Sequence, residues 1–125
     1  MKKCFISFVI ILFNVTIAVG QTLTDYNRNY THKVEYDNNF NPILIITLKN
    51  ISTKTITSVE IIVYYDGDSY DWTKPIKQYV SVTNIQSKQN GILSYRVEKE
   101  INNRKPKEFS ITRIRYSDGS ICDKF

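Results

Sequence analysis

The side chains able to do chemistry are few and scattered. His32 is the only histidine in 125 residues. It falls inside the alternating run Tyr30 to Tyr36, with no Ser, Cys or Asp motif beside it. Acyl transfer needs a nucleophile, a base and an orienting group brought together, and zinc needs a full set of nitrogen and sulfur ligands. Asp66, Asp68 and Asp71 are the one acidic cluster. Their spacing lacks the closing bidentate acid of a calcium loop, so a solvated turn is expected. No glycine-rich run could cradle a phosphate, since Gly67, Gly91 and Gly119 stand far apart. Neither catalysis nor a metal or cofactor is expected of this chain.

Aromatic residues gather around the same acidic loop as Tyr64, Tyr70, Trp72 and Tyr79. Such rings can stack on sugars or anchor a protein, because each offers a large rigid surface with a polar tip. They are equally ordinary core material of a β-sandwich. Tyr70 and Trp72 are the candidate contacts of a carbohydrate-binding alternative. Asn29-Tyr30-Thr31 and Asn50-Ile51-Ser52 match the glycosylation acceptor pattern.

These residues need elements to position them, and the chain supplies strands. Met1-Lys2-Lys3, the apolar run from Phe5 to Phe13 and Ala18-Val19-Gly20 describe a secretory signal peptide cut after Gly20. Asn14 and Thr16 interrupt the run, so a retained membrane helix is not expected. Gln21 to Phe125 then form one domain. Of the 17 Lys and Arg, Lys2 and Lys3 leave with the leader, so 15 face 12 acids and the net charge is +3. Only Arg104-Lys105-Pro106-Lys107 forms a basic knot, read as a solvated loop. Nucleic-acid binding calls for a stronger, clustered basic footprint and is not expected. Cys4 also goes with the leader, so Cys122 has no partner for an internal disulfide. Burial is the expected state of that thiol.

The stretch Leu44 to Gly67 organises the rest. Leu44, Ile46 and Leu48 alternate with polar or outward neighbours, and Val59, Ile61, Val63 and Tyr65 repeat the pattern. Period-two alternation in β-branched and aromatic residues marks strands with one buried face. Gln21 to Asn29 carries no period and is expected to be a flexible lead-in. Strands are expected over Tyr30–Tyr36, Ile43–Lys49, Ile56 or Thr57 to Tyr65, Lys77–Thr83, Ile92–Glu98, Phe109–Tyr116 and Ser120–Asp123. Over Lys77–Thr83 the near-helical spacing of Ile76, Tyr79, Val80 and Thr83 competes with strand composition, and composition is preferred. Ser117-Asp118-Gly119 is a hairpin turn in which Gly119 takes a positive φ. The spacing predicts an all-β antiparallel sandwich of about seven strands, immunoglobulin-like in type, spanning residues 30–125.

Leu48-Lys49-Asn50-Ile51-Ser52, then Ile56 and Val59, and Tyr64-Tyr65-Asp66-Gly67 resemble the FxLYD family of small immunoglobulin-like bacterial domains. Ile62 and Tyr64 stand where that signature has Phe and Leu. The resemblance implies an extracytoplasmic accessory module without known catalysis.

The expected function is therefore a secreted or periplasmic, non-catalytic module that binds a protein partner or a second copy of itself. The expected contact face follows from strand parity. If Val59, Ile61, Val63 and Tyr65 point inward, Ile62 and Tyr64 point outward. If Ile114 and Tyr116 are buried on the neighbouring strand, Arg113 and Arg115 face outward next to them. Ile62, Tyr64, Arg113 and Arg115 are thus the candidate interaction face, since Tyr and Arg are enriched where few side chains carry binding energy.

Overall fold

The structure, a computed structural model, describes residues 21–66 and 76–125. The expected leader, Asp68, Asp71 and the Tyr70–Trp72 aromatics lie outside the described residues. Seven strands are described: β1 (Tyr30–Tyr36), β2 (Pro42–Lys49), β3 (Ile56–Tyr65), β4 (Ile76–Ile85), β5 (Asn90–Arg96), β6 (Pro106–Tyr116) and β7 (Ile121–Cys122). They form two antiparallel sheets, ordered β1-β2-β5 and β4-β3-β6-β7.

The core is the set of inward rows the alternation foretold. Leu44, Ile46 and Leu48 of β2 and Leu93 and Tyr95 of β5 face Val59, Ile61, Val63 and Tyr65 of β3 and Ile111, Ile114 and Tyr116 of β6. The Tyr95 hydroxyl crosses the sandwich and donates to the Val59 carbonyl at 3.1 Å. Two odd spacings, Ile56 to Val59 and Ile111 to Ile114, would put one member of each pair outside a regular strand. All four are buried because the β3–β6 ladder shifts register between Ile56 and Ser58 and again between Glu60 and Ile61. Bulges restore the parity that the sequence breaks.

β4 is a strand throughout Ile76–Ile85, so strand composition outweighs the near-helical spacing. Its outward row carries Ile76, Val80 and Val82, all exposed. Its inward row includes Lys77, bonded to Glu98, and Tyr79, whose hydroxyl lies 3.0 Å from that of Tyr65. Between β4 and β5 the chains approach so closely that a Cβ on Gly91 would meet Ile85 Cγ1 at 2.2 Å.

The segment expected to be a flexible lead-in holds a helix, α1 (Leu23–Asn27). A capping box starts it: Asp25 N–H donates to Thr22 Oγ1 at 3.4 Å, and Thr22 N–H to Asp25 Oδ2 at 3.0 Å. Five residues cannot sustain a helix alone; tertiary packing holds this one. Leu23 and Tyr26 are fully buried. The Tyr26 and Tyr116 hydroxyls meet at 2.7 Å, and Leu23 N–H donates to the Lys124 carbonyl at 2.7 Å. Cys122 is buried beneath this helix end, its Sγ 3.7 Å from the Gln21 carbonyl, and burial raises its thiol pKa.

The Asn50-Ile51-Ser52 turn is a buried polar hub. Asn50 Nδ2 donates to the carbonyls of Lys54 at 2.7 Å and Ile85 at 2.9 Å. Its Oδ1 accepts from Ser52 N–H at 2.9 Å and Ser52 Oγ at 2.6 Å. This side chain ties the β2–β3 connection to the end of β4, and its full burial leaves no room for a glycan.

Candidate functional site

All four residues of the expected interaction face lie on the outward side of the β4-β3-β6-β7 sheet, but they do not form one cluster. The antiparallel register sets Arg113 opposite Glu60 and Arg115 opposite Ser58, whereas Ile62 faces Ser110 and Tyr64 faces Glu108. Arg115 and Tyr64 therefore sit six positions apart along β3, roughly 20 Å at the strand rise. The expectation that the arginines stand next to Ile62 and Tyr64 is corrected: parity gives the face of a residue but not its partner across the ladder. Arg113 Nε lies 3.4 Å from Glu60 Oε2, so its charge is already met. Tyr64 instead stands beside exposed Ile76 of β4.

The opposite side of the molecule departs further from expectation. His32, Val34 and Tyr36 occupy the inward row of β1, in register with Ile46, Leu44 and Pro42. An inward row should be covered, yet Val34 is 48% and Tyr36 67% exposed. The facing sheet stops short. β7 pairs only with Ile114 and Arg115, and α1 reaches β6 at Ile111, whose N–H donates to Asn27 Oδ1 at 3.3 Å. Beyond that point nothing among the described residues lies over the second half of β1.

The result is an open cleft of about 330 Å³ between the two sheets. Leu44, Val63 and Val97, all buried, form its floor. Val34, Tyr36 and Phe40 make one wall and Phe109 the other. The Phe109 ring stacks edge-on to His32 at 4.9 Å and tilts against Tyr30 at 5.7 Å, which fixes the far end of the cleft. His32 is thus part of an aromatic cluster.

Phe40 is 71% exposed and has φ 61°, a left-handed conformation rare for a bulky side chain. Asp37 imposes it. Its Oδ1 accepts from the N–H groups of Asn39 and Asn41, both at 2.9 Å, and its carbonyl accepts from Phe40 N–H at 3.0 Å. The Asn41 N–H bond, ahead of the other contacts, holds the Asp37 carboxyl below its ordinary range. A strained backbone that leaves an aromatic in water has to be explained by what that ring does.

The mouth of the cleft is basic. Lys99, Lys105 and Lys107 are exposed around it, with Glu108 the acid among the lining residues. Asn102 and Asn103, at φ 51° and 64°, turn the loop so that it closes between Ile101 and Arg104. Asp66 N–H then donates to the Lys105 carbonyl at 2.8 Å. The basic knot, expected to be only a solvated loop, supplies two of these lysines. Phe40 and Tyr36 were not singled out by the sequence; an aromatic just after Asp37-Asn38-Asn39, where turns favour polar residues, is the signal that points to them.

An apolar trough with a cationic mouth suits a ligand that is apolar along its body and anionic at one end. Among the described residues no group of three or more His, Cys, Asp or Glu is placed to hold a metal, and no helix is long and apolar enough to cross a membrane. Comparison with protein-family profiles, with curated proteins and with solved structures finds no match, so no relative lends this cleft a ligand.

Proposed function

We propose that the chain is a secreted or periplasmic, non-catalytic module that binds a protein partner through the cleft between β1 and β6. The observation that carries this is the row Val34, Tyr36 and Phe40, at 48%, 67% and 71% exposure on the wall of a pre-formed apolar trough. Completing the burial of three such side chains is worth about 1–2 kcal/mol each, a driving force that no contact among the described residues uses. The extracytoplasmic assignment rests on the Met1–Gly20 pattern. An immunoglobulin-like relation is supported by the order β1-β2-β5 against β4-β3-β6-β7, in which the fourth strand has joined the sheet of the third.

The outward face with Ile62, Tyr64, Arg113 and Arg115 is the second reading, as a homodimer contact, favoured by the exposed Ile76 and Val80 beside it. Lys77, held inward by Glu98, guards that strand edge against pairing. Affinity capture from the native host separates the two. A protein retained by the native chain and by Tyr64→Ala/Arg115→Ala, but lost from Tyr36→Ser/Phe40→Ser, places the interface in the cleft. The reverse pattern places it on the outward face. A saturable glycan-array signal abolished by Trp72→Ala would overturn both in favour of carbohydrate.

A further inference from the structure

We propose that the cleft receives an extended, acidic segment of the partner as an added β-strand, laid along β6 in the lane that β7 leaves empty. This rests on the cleft being the binding surface and says how the partner fills it. β7 covers the β6 edge only at Ile114 and Arg115. Ile111 N–H points away from β3, since Asn27 Oδ1 takes it. Strand alternation then turns the Phe109 N–H and C=O to the same open side, while Ser110 and Glu108, opposite Ile62 and Tyr64, turn theirs toward β3. A free strand edge beside an apolar trough is what strand addition uses: backbone bonds for affinity, alternate side chains for specificity.

The geometry also sets the side chains. A strand continuing the lane of β7 lies opposite the inward row of β1, so every second residue would point onto Val34, Tyr36 and Phe40 and cover them. The lysines at Lys99, Lys105 and Lys107 stand where such a strand would leave the cleft, next to β6's beginning at Pro106. They call for carboxylates at that end of the segment. The alternative role of Lys107, as a charge that blunts a sheet edge, fits a lysine in mid-edge better than one at the strand's start. An anionic amphiphile would also suit an apolar trough with a basic mouth, but it would leave the β6 backbone edge unused.

The probe is a capped eight-residue peptide with valine at alternate positions and aspartates between them and at one end. Titration into the full secreted chain, followed by amide exchange, should slow exchange of the Phe109 N–H by tenfold or more at near-saturation. Lys105→Glu/Lys107→Glu, on exposed side chains, should weaken the peptide by about tenfold or more, and a peptide with lysines for its aspartates should recover that loss. Peptide binding with no protection of Phe109, or undiminished binding by an N-methylated peptide, overturns strand addition while the cleft stands. Dodecanoate binding in the cleft with no peptide binding overturns it in favour of an amphiphile. Failure of the peptide at millimolar concentration, with partner capture still lost in Tyr36→Ser/Phe40→Ser, also overturns strand addition and spares the cleft. Capture that survives Tyr36→Ser/Phe40→Ser overturns the cleft itself.

Discussion

Asn50→Ala removes the side chain on which the β2–β3 turn is built, and its cost can be worked from the bonds it makes. Four hydrogen bonds go at once, to the carbonyls of Lys54 and Ile85 and from the N–H and hydroxyl of Ser52. Two of these partners have a second bond that survives. The Lys54 carbonyl still accepts from Ser52 Oγ at 2.9 Å, which also keeps that hydroxyl satisfied. The Ile85 carbonyl and the Ser52 N–H lose the Asn50 side chain in a place where Asn50 is 0% and Ser52 3% exposed. Orphaning a buried polar group costs about 1–3 kcal/mol, so the expected loss is about 3 kcal/mol, a large part of the ~5–15 kcal/mol that holds a domain together. In urea, with a slope near 1.5 kcal/mol per molar, the midpoint should fall by roughly 2 M. Asn84→Ala is the control; its side chain bonds only to exposed Gln86, and surface changes of this kind stay within about 0.5 kcal/mol. A midpoint shift for Asn50→Ala no larger than that of Asn84→Ala would refute the hub.

Gly119→Ala should destabilise by about 1 kcal/mol through backbone strain alone, because Gly119 has φ 85° and an added Cβ would meet nothing within 4 Å; an unchanged melting curve would count against the turn. Gly91→Ala acts by the opposite route, driving a methyl into buried Ile85, and should cost about 1–3 kcal/mol by urea titration. Stability should fall above pH 10, since burial lifts the hydroxyls of Tyr26, Tyr65, Tyr95 and Tyr116 above their ordinary value of 10.0. The folded state then holds protons that the unfolded chain has lost, so stability complete below that value drains away as pH rises through and beyond it; urea midpoints from pH 8 to 11 check the sign. The acid side runs the other way: Asp118, bonded to Ser120 and Lys54, and Asp37, bonded to Asn41, sit below the ordinary 3.8, so their contribution is present above that value and fades as pH falls beneath it.

The strands were legible because burial writes its period into the sequence, and β1 shows both the reach and the limit of that code. Its bounds, Tyr30–Tyr36, and its inward row follow from alternation alone. That the row is uncovered does not, because it depends on where β7 stops on the far sheet. The interaction face failed in register for a related reason. Ile62 and Tyr64 do point outward, but bulges at Thr57 of β3 and Thr112 of β6 fix which β6 residue each meets. α1 is too short to show a period, although the Thr22-x-x-Asp25 capping box was there to be seen. The buried pair Asn50 and Ser52 was visible as part of a resemblance, while its hydrogen bonds to a distant strand were not.

Site-specific photocrosslinking in the native host decides whether the partner sits in the cleft or on the outward face. A benzophenone amino acid replacing Tyr36 should give a covalent adduct with a protein partner, and the same group replacing Tyr64 should give none. An adduct from Tyr64 with none from Tyr36 would contradict the assignment.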